Sequence, residues 1–447
     1  MGINGIIDSC RGNSICIVES FKKLIDQGYE APPEEVKNVS KLLGEPTKKI
    51  DVFNDKYLHV FMKYVQRNCV EIGDGELCIY SWKPGTYVRY FPVSLDSTGT
   101  ILYLSKDKVL LIAYPTHRSY DIEGHKVQIP DPSINSVVEI SKRIDGYQIT
   151  FYYNEFLKRW VPATRYVLHN MMYVKRRLEI ASIEEIINPY AYVADQIAEK
   201  TSLYNYLKKY RGYTFTFILE PPEPAILRPN IELYNIEEFK LYLLNAREPN
   251  GRLLSISESR KLIEWDIVPL EEIVIEDKET LEKYISMWRN DLYVRSRFIR
   301  FKLDEPYRPY VLEVSSKLYS EAVAIKYYSS PKSLLVLASH GYGDEAIELL
   351  VDYGDIRSVG RELINYYNEL KQLIPKAINN EWFIELLEKH GIYRALRGEL
   401  EKAKRKGEYD RFIRKLAITI ASNDLGETRD KLRVLCEYIK KYVSPTS

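Results

Sequence analysis

The spacing of apolar positions changes along the chain, and each spacing predicts a different kind of structure. Residues 18–43 are largely polar and helix-like, punctuated by Ala31-Pro32-Pro33, so 1–68 is expected to be a small helical extension. Between about 69 and 217, apolar and polar residues alternate over short runs, as in Ile101-Leu102-Tyr103-Leu104, 109–113, 137–140 and 147–153, with Gly, Asp and Pro between them. A period of two puts successive side chains on opposite faces of a strand, and this region predicts a series of short strands. Asn188-Pro189 interrupts the series: Asn suits an N-cap and Pro a first helical turn, which predicts a helix over 190–210. Strands are expected again over 292–303 and 310–314, and in a run that ends at Lys326. After about Gly343 the apolar residues fall three and four apart: Ile347, Leu350 and Val351, then Ile364, Leu370, Ile374, Phe383, Leu386 and Leu387. That is the stripe of amphipathic helices, so 343–447 is expected to be an all-helical domain behind an α+β domain over 69–335.

Composition narrows the picture in a few places. The chain has 447 residues, 45% hydrophobic and 28% charged, which fits a globular protein of two or three domains. Lys plus Arg (64) nearly balances Asp plus Glu (63), so only local patches can argue for a nucleic-acid partner. Many Tyr (37) beside few Met (5) and Cys (5) fits a protein from a hot environment. Cys10, Cys16, Cys69, Cys78 and Cys436 show no Cys-x-x-Cys spacing, so neither a zinc knuckle nor a secreted disulfide framework is expected, although a hyperthermophile could form disulfides inside the cell. The six histidines show no metal-ligand spacing, and no metal site is expected from them. No run of about 18 apolar residues exists, and Asp8 and Arg11 interrupt any export signal, so no membrane contact and a cytoplasmic location are expected.

From Gly99 onward several short blocks occur in a distinctive order. Gly99 to Leu104 leads into Ala113-Tyr114-Pro115-Thr116-His117-Arg118-Ser119-Tyr120-Asp121; then come Glu139-Ile140-Ser141-Lys142-Arg143-Ile144-Asp145-Gly146, Trp160-Val161-Pro162-Ala163-Thr164-Arg165 and Tyr213-Thr214-Phe215-Thr216-Phe217-Ile218-Leu219-Glu220. Leu241-Tyr242-Leu243-Leu244-Asn245-Ala246-Arg247 and Ala322-Val323-Ala324-Ile325-Lys326-Tyr327 follow. In this order, over roughly 99–335, the sequence resembles the nucleotidyltransferase domain of the ATP-dependent RNA ligases typified by the T-even phages. The resemblance implies a nucleotidyltransferase fold with antiparallel sheets and, where the chemistry survives, ATP and Mg²⁺ as cofactors. It assigns nucleotide contacts to Arg118, Arg143, Glu220 and Lys326.

The same resemblance shows what has been lost. The family's lysine attacks the α-phosphate of ATP, and counting back from Asp145-Gly146 its position holds Arg143, whose guanidinium is never deprotonated. Lys142 is one residue early, and on an extended segment that turns a side chain to the opposite face. Ile218 stands at an expected carboxylate, with Glu220 two positions on; Arg308-Pro309 replaces a Glu-Gly, with Glu305 out of register; Thr98 and Ala324 replace cations. An RNA-binding pseudoenzyme is therefore expected. The alternatives are an active ligase using Lys142 as nucleophile and Asp145 to set the turn, and a scaffold subunit without RNA affinity.

Residues 156–178 contain Lys158, Arg159, Arg165, Lys175, Arg176 and Arg177 and no acidic residue, interleaved with Phe156, Trp160, Tyr166 and Tyr173. Cations among aromatic faces suit a single strand with stacked bases, so Lys158, Arg159, Trp160, Arg165, Tyr173, Lys175 and Arg176 are the expected RNA contacts. Residues 391–415 carry nine Lys or Arg against four acidic residues, which reads as a solvated, salt-bridged helical face, with RNA contact as the alternative.

Overall fold

The computed structural model describes residues 3–83, 89–124, 127–169, 188–222, 236–303, 305–351 and 354–443. The chain forms two compact units, Met1–Ser286 with Ser296–Ser315, and Met287–Arg295 with Ser316–Ser447.

The first unit opens with α1 (Ile3–Ser9), α2 (Ser14–Asp26), α3 (Pro33–Leu42) and α4 (Tyr57–Tyr64). Asn13 caps α2, its side chain accepting from the Cys16 backbone N–H at 2.9 Å, and Pro33 opens α3, where a missing N–H costs nothing. These helices cover a sheet in the order β1 (Val65–Ile72), β2 (Gly75–Trp82), β3 (Thr98–Ser105) and β4 (Val109–Ala113), with α5 (Pro92–Asp96) leading into β3. Two further sheets follow. One contains β5 (Tyr120–Asp121) and β6 (Val137–Lys142), the other β7 (Tyr147–Asn154) and β8 (Arg159–Thr164). After α6 (Pro189–Lys200) and α7 (Leu203–Leu207) the second of these is completed by β9 (Thr214–Glu220) and β10 (Lys240–Arg247). After α8 (Ile256–Arg260) and α9 (Lys278–Trp288) the first is completed by β11 (Ser296–Phe301) and β12 (Val311–Ser315). The orders are β10-β9-β7-β8 and β5-β12-β11-β6. Strand pairing is antiparallel except between β5 and β12.

Period-two alternation decides how the layers stack. Cys78 and Tyr80 of β2 and Leu102 of β3 join the core under α1–α4, while Leu77, Ile79, Ile101 and Tyr103 face the other way and pack with Tyr152, Val161 and Ala163 of β7 and β8. Ile149, Phe151 and Trp160 point to the far side of that sheet, onto Val193, Ala194 and Leu203 of α6 and α7. The layers therefore run helices, sheet, sheet, helices, and the amino-terminal helices share a core with β2 and β3. Asn188 caps α6, accepting from Ala191 N–H at 3.2 Å, with Pro189 in the first turn as the sequence predicts. Each fully buried aliphatic or aromatic side chain contributes about 1.5–3 kcal/mol.

Two disulfides form, neither marked by a Cys-x-x-Cys spacing. Cys10–Cys16 closes the turn between α1 and α2, and Cys69–Cys78 joins residues directly opposite on β1 and β2. Cross-strand register makes the second pair, and no local spacing encodes it.

The second unit comprises α10 (Lys317–Tyr328), α11 (Pro331–Ser339), α12 (Gly343–Glu348), α13 (Ile356–Ala377), α14 (Glu381–Lys389), α15 (Tyr393–Lys406), α16 (Tyr409–Ile420) and α17 (Leu425–Val443). Its core contains Ile347, Leu350, Leu370, Ile374, Phe383, Leu386 and Leu387; Ile364 packs at the margin and Val351 is exposed. The expected strand ending at Lys326 is instead α10. Ser316 caps it by accepting from Tyr319 N–H at 3.1 Å, and the buried Leu318, Ala322 and Ile325 follow helical spacing. No helix among the described residues is long and apolar enough to cross a membrane.

Candidate functional site

The 113–121 block and the nucleophile motif meet where β6 ends. Lys142 lies opposite Arg297 of β11, its N–H bonded to the Pro269 carbonyl at 2.9 Å, and Arg143 N–H bonds to the Ser296 carbonyl at 2.9 Å. Their side chains find separate partners. Lys142 Nζ lies 3.7 Å from Glu271 Oε1, an oxygen that also accepts from Arg297 Nε at 2.8 Å. Arg143 Nη1 donates to Glu313 Oε1 of β12 at 2.8 Å. That oxygen also accepts from Ser296 Oγ at 2.9 Å, while Oε2 accepts from Ser119 Oγ at 3.0 Å. Glu313 thus collects groups from the 113–121 block, the nucleophile motif and β11, a role the sequence reading did not give it.

The Asp145-Gly146 turn is needed for packing. A Cβ at Gly146 would sit 2.3 Å from the Leu219 carbonyl oxygen and 3.0 Å from Ile218 Cγ2, so only glycine fits. Ile218 therefore lies against this turn and presents a hydrocarbon where a carboxylate was expected. Glu220 pairs across the ladder with Lys240, and burial together with Glu220 raises the pKa of the Tyr242 phenol.

Arg308 is committed elsewhere. Its Nη1 donates to Asp96 Oδ2 at 3.0 Å and to the Gly12 carbonyl at 2.8 Å. Asp96 is fully buried and raises the Arg308 pKa against the lowering effect of burial. Thr98 is also buried, its hydroxyl donating to the Thr116 carbonyl. Arg247 is buried over the Tyr114 ring at 3.5 Å and donates to the carbonyls of Tyr114, Pro115, Gly251 and Tyr307. His117 is held neutral, burial pushing its pKa down to about 3; its Nε2 lies 2.7 Å from the Pro309 carbonyl, and Nδ1 has no hydrogen-bond partner.

The basic stretch separates into distinct fates. Tyr173, Lys175 and Arg176 lie outside the described residues. Lys158 pairs with Glu155 at 3.2 Å, and Arg159 donates to Asp195 at 2.8 Å. Trp160, expected to stack on a base, is only 4% exposed and packs edge-on against Tyr153 and Phe215, because alternation along β8 turns it into the core. Truncating Trp160 to Ala is accordingly expected to cost about 3–5 kcal/mol of stability, read as a lowered unfolding midpoint. Arg165 differs: among the described residues it has no carboxylate partner. Its guanidinium lies 4.7 Å from the Trp82 ring centroid and 4.4 Å from that of Tyr166. Arg118 approaches Trp82 at 4.6 Å and Tyr90 at 5.4 Å. Lys326 lies in the second unit, on α10 beside the Tyr327 ring at 5.6 Å.

The carboxylates at the end of β6 do not make an open Mg²⁺ site. Both Glu313 oxygens accept hydrogen bonds, and Glu271 is shared by Arg297 and Lys142. Among the described residues the cluster of ligand-type groups close enough for one ion is Cys69, Glu76 and Cys78, whose sulfurs form a disulfide.

No protein-family model matches the sequence, and no curated protein matches it. Solved structures with a similar chain path include an archaeal ATP-dependent RNA ligase, at 13% identity and a TM-score of 0.36, covering 78% of this chain and 84% of that one. The Naegleria gruberi RNA ligase with PPi is 10% identical with a TM-score of 0.29, covering 58% of this chain and 97% of that one. A variant of the same enzyme with AMP and Mn gives 10% and 0.30, with the same coverage of 58% and 97%.

Proposed function

We propose that this chain is an RNA ligase-like protein that binds RNA, at strand ends, and has lost or strongly impaired adenylylation. The observation that carries the reading is the end of β6: the nucleophile position holds Arg143, bonded to Glu313 at 2.8 Å, while Lys142 is turned toward Glu271. A guanidinium cannot supply the lone pair that phosphoramidate formation needs. RNA contact makes no such demand, since phosphate binding depends on positive charge and geometry.

The test is filter binding of single-stranded RNA at two salt concentrations. Charge reversal at Arg165, Lys175 and Arg176 is expected to weaken binding and flatten its dependence on salt, by roughly one counterion per lost phosphate contact. Binding by this triple variant that equals the wild type at both concentrations would refute the assignment of the stretch.

A further inference from the structure

The first unit stacks two arginines on one indole that lies ahead of the ligase-like region. Trp82 ends β2, its N–H bonded to the Ser97 carbonyl at 2.8 Å. Arg118, from the block after β4, and Arg165, just after β8, approach its ring at 4.6 Å and 4.7 Å. Gly99 allows the close approach: its φ is +102°, and a Cβ there would lie 3.2 Å from Arg165 Cα. Tyr90 and Tyr166 flank the pair, and Arg165 donates to the Tyr166 hydroxyl.

Charge in this cluster is incompletely balanced. Arg143 has Glu313, and both Asp121 and Glu313 act on Arg118, but no described carboxylate pairs with Arg165. Burial lowers the pKa of Arg165, and Arg143 lowers it further. A half-buried cation without a counter-charge is less well solvated than one in water, whereas an anion received between forked guanidinia would be held by charge-assisted bonds. Contact with the indole orients each planar fork before the anion arrives.

We propose that Arg118 and Arg165, held on Trp82, form a clamp for a phosphate group carried by an RNA end or a free nucleotide. Trp82 is the positioning residue and the guanidinia are the binding groups. The RNA source rests on the function proposed above; the phosphate chemistry does not.

Fluorescence anisotropy of the full chain with a short 5′-phosphorylated RNA, its 5′-hydroxyl counterpart and a labelled ATP analogue tests the clamp. Arg165→Gln and Trp82→Ala are expected to weaken the 5′-phosphorylated RNA on the order of tenfold, with a smaller effect on the 5′-hydroxyl strand, while Trp82→Phe, which keeps an aromatic face, stays within about threefold of the wild type. Thermal unfolding of Arg165→Gln at or above the wild-type midpoint, as expected when an unpaired charge outside the core is removed, separates binding from folding. If RNA binds and these variants bind it equally well, the clamp is wrong and the RNA reading stands. Loss of the ATP analogue alone with Arg165→Gln overturns the RNA source and assigns the clamp to a nucleotide. Wild-type protein that binds neither ligand overturns both proposals.

Discussion

Incubated with α-labelled ATP and either Mg²⁺ or Mn²⁺, the protein is expected to carry no covalent label above background. Three features act together. The nucleophile position is a guanidinium bonded to Glu313, Ile218 presents hydrocarbon to the Asp145-Gly146 turn, and Arg308 is held by Asp96. Arg143→Lys alone is expected to stay unlabelled, because it restores an amine without restoring either carboxylate. An acid-labile, alkali-stable adduct that disappears in Lys142→Ala would establish the active-ligase alternative instead, and would require Lys142 to leave Glu271. Full ligation by Arg143→Lys would show that the Arg308 position is not where the metal-supporting carboxylate belongs.

A stability loss as large as that of Trp160→Ala is expected at Asp96. This fully buried carboxylate accepts from Ser14 N–H at 2.8 Å, from Tyr114 OH at 2.9 Å and from Arg308 Nη1 at 3.0 Å, so it joins α2, the 113–121 block and the turn before β12. Asp96→Ala leaves the largely buried Arg308 without its counter-charge, and breaking a buried pair from one side costs about 3–5 kcal/mol. Asp96→Asn should cost less, since an amide oxygen still accepts. Combining Asp96→Ala with Arg308→Met should recover part of the loss, because the stranded charge goes too. Urea unfolding of the three variants checks this, and an Asp96→Ala midpoint equal to the wild type would mean that the pair contributes nothing net.

Much of the local structure was legible in the sequence. Asn188-Pro189 starts a helix where cap chemistry says it should, although the helix breaks at Thr201-Ser202 before resuming as α7. The strands expected over 292–303 and 310–314 appear as β11 and β12. The run before Lys326 was misleading because Ala-Val-Ala-Ile satisfies alternation and helical spacing at once; the Ser316 cap and the burial of Leu318, Ala322 and Ile325 settle it as helix. The basic stretch at 156–178 pointed to Arg165 but also to Trp160, since composition does not say which face of β8 a residue occupies. Trp82 carried no signal at all.

What the sequence determined by itself is whatever depends on neighbours a few residues apart: strand and helix periods, the caps of α2 and α6, and the replacement of an amine by a guanidinium at 143. Such features follow from backbone geometry and side-chain chemistry within one or two turns. Only the tertiary structure decided who partners whom. Arg308 reaches an aspartate 212 residues away, Arg143 a glutamate 170 residues away, and Trp82 receives arginines from two later segments. Those meetings are set by strand register and by the stacking of layers, which place side chains together through many weak contacts spread over the chain, and no short window of sequence contains them.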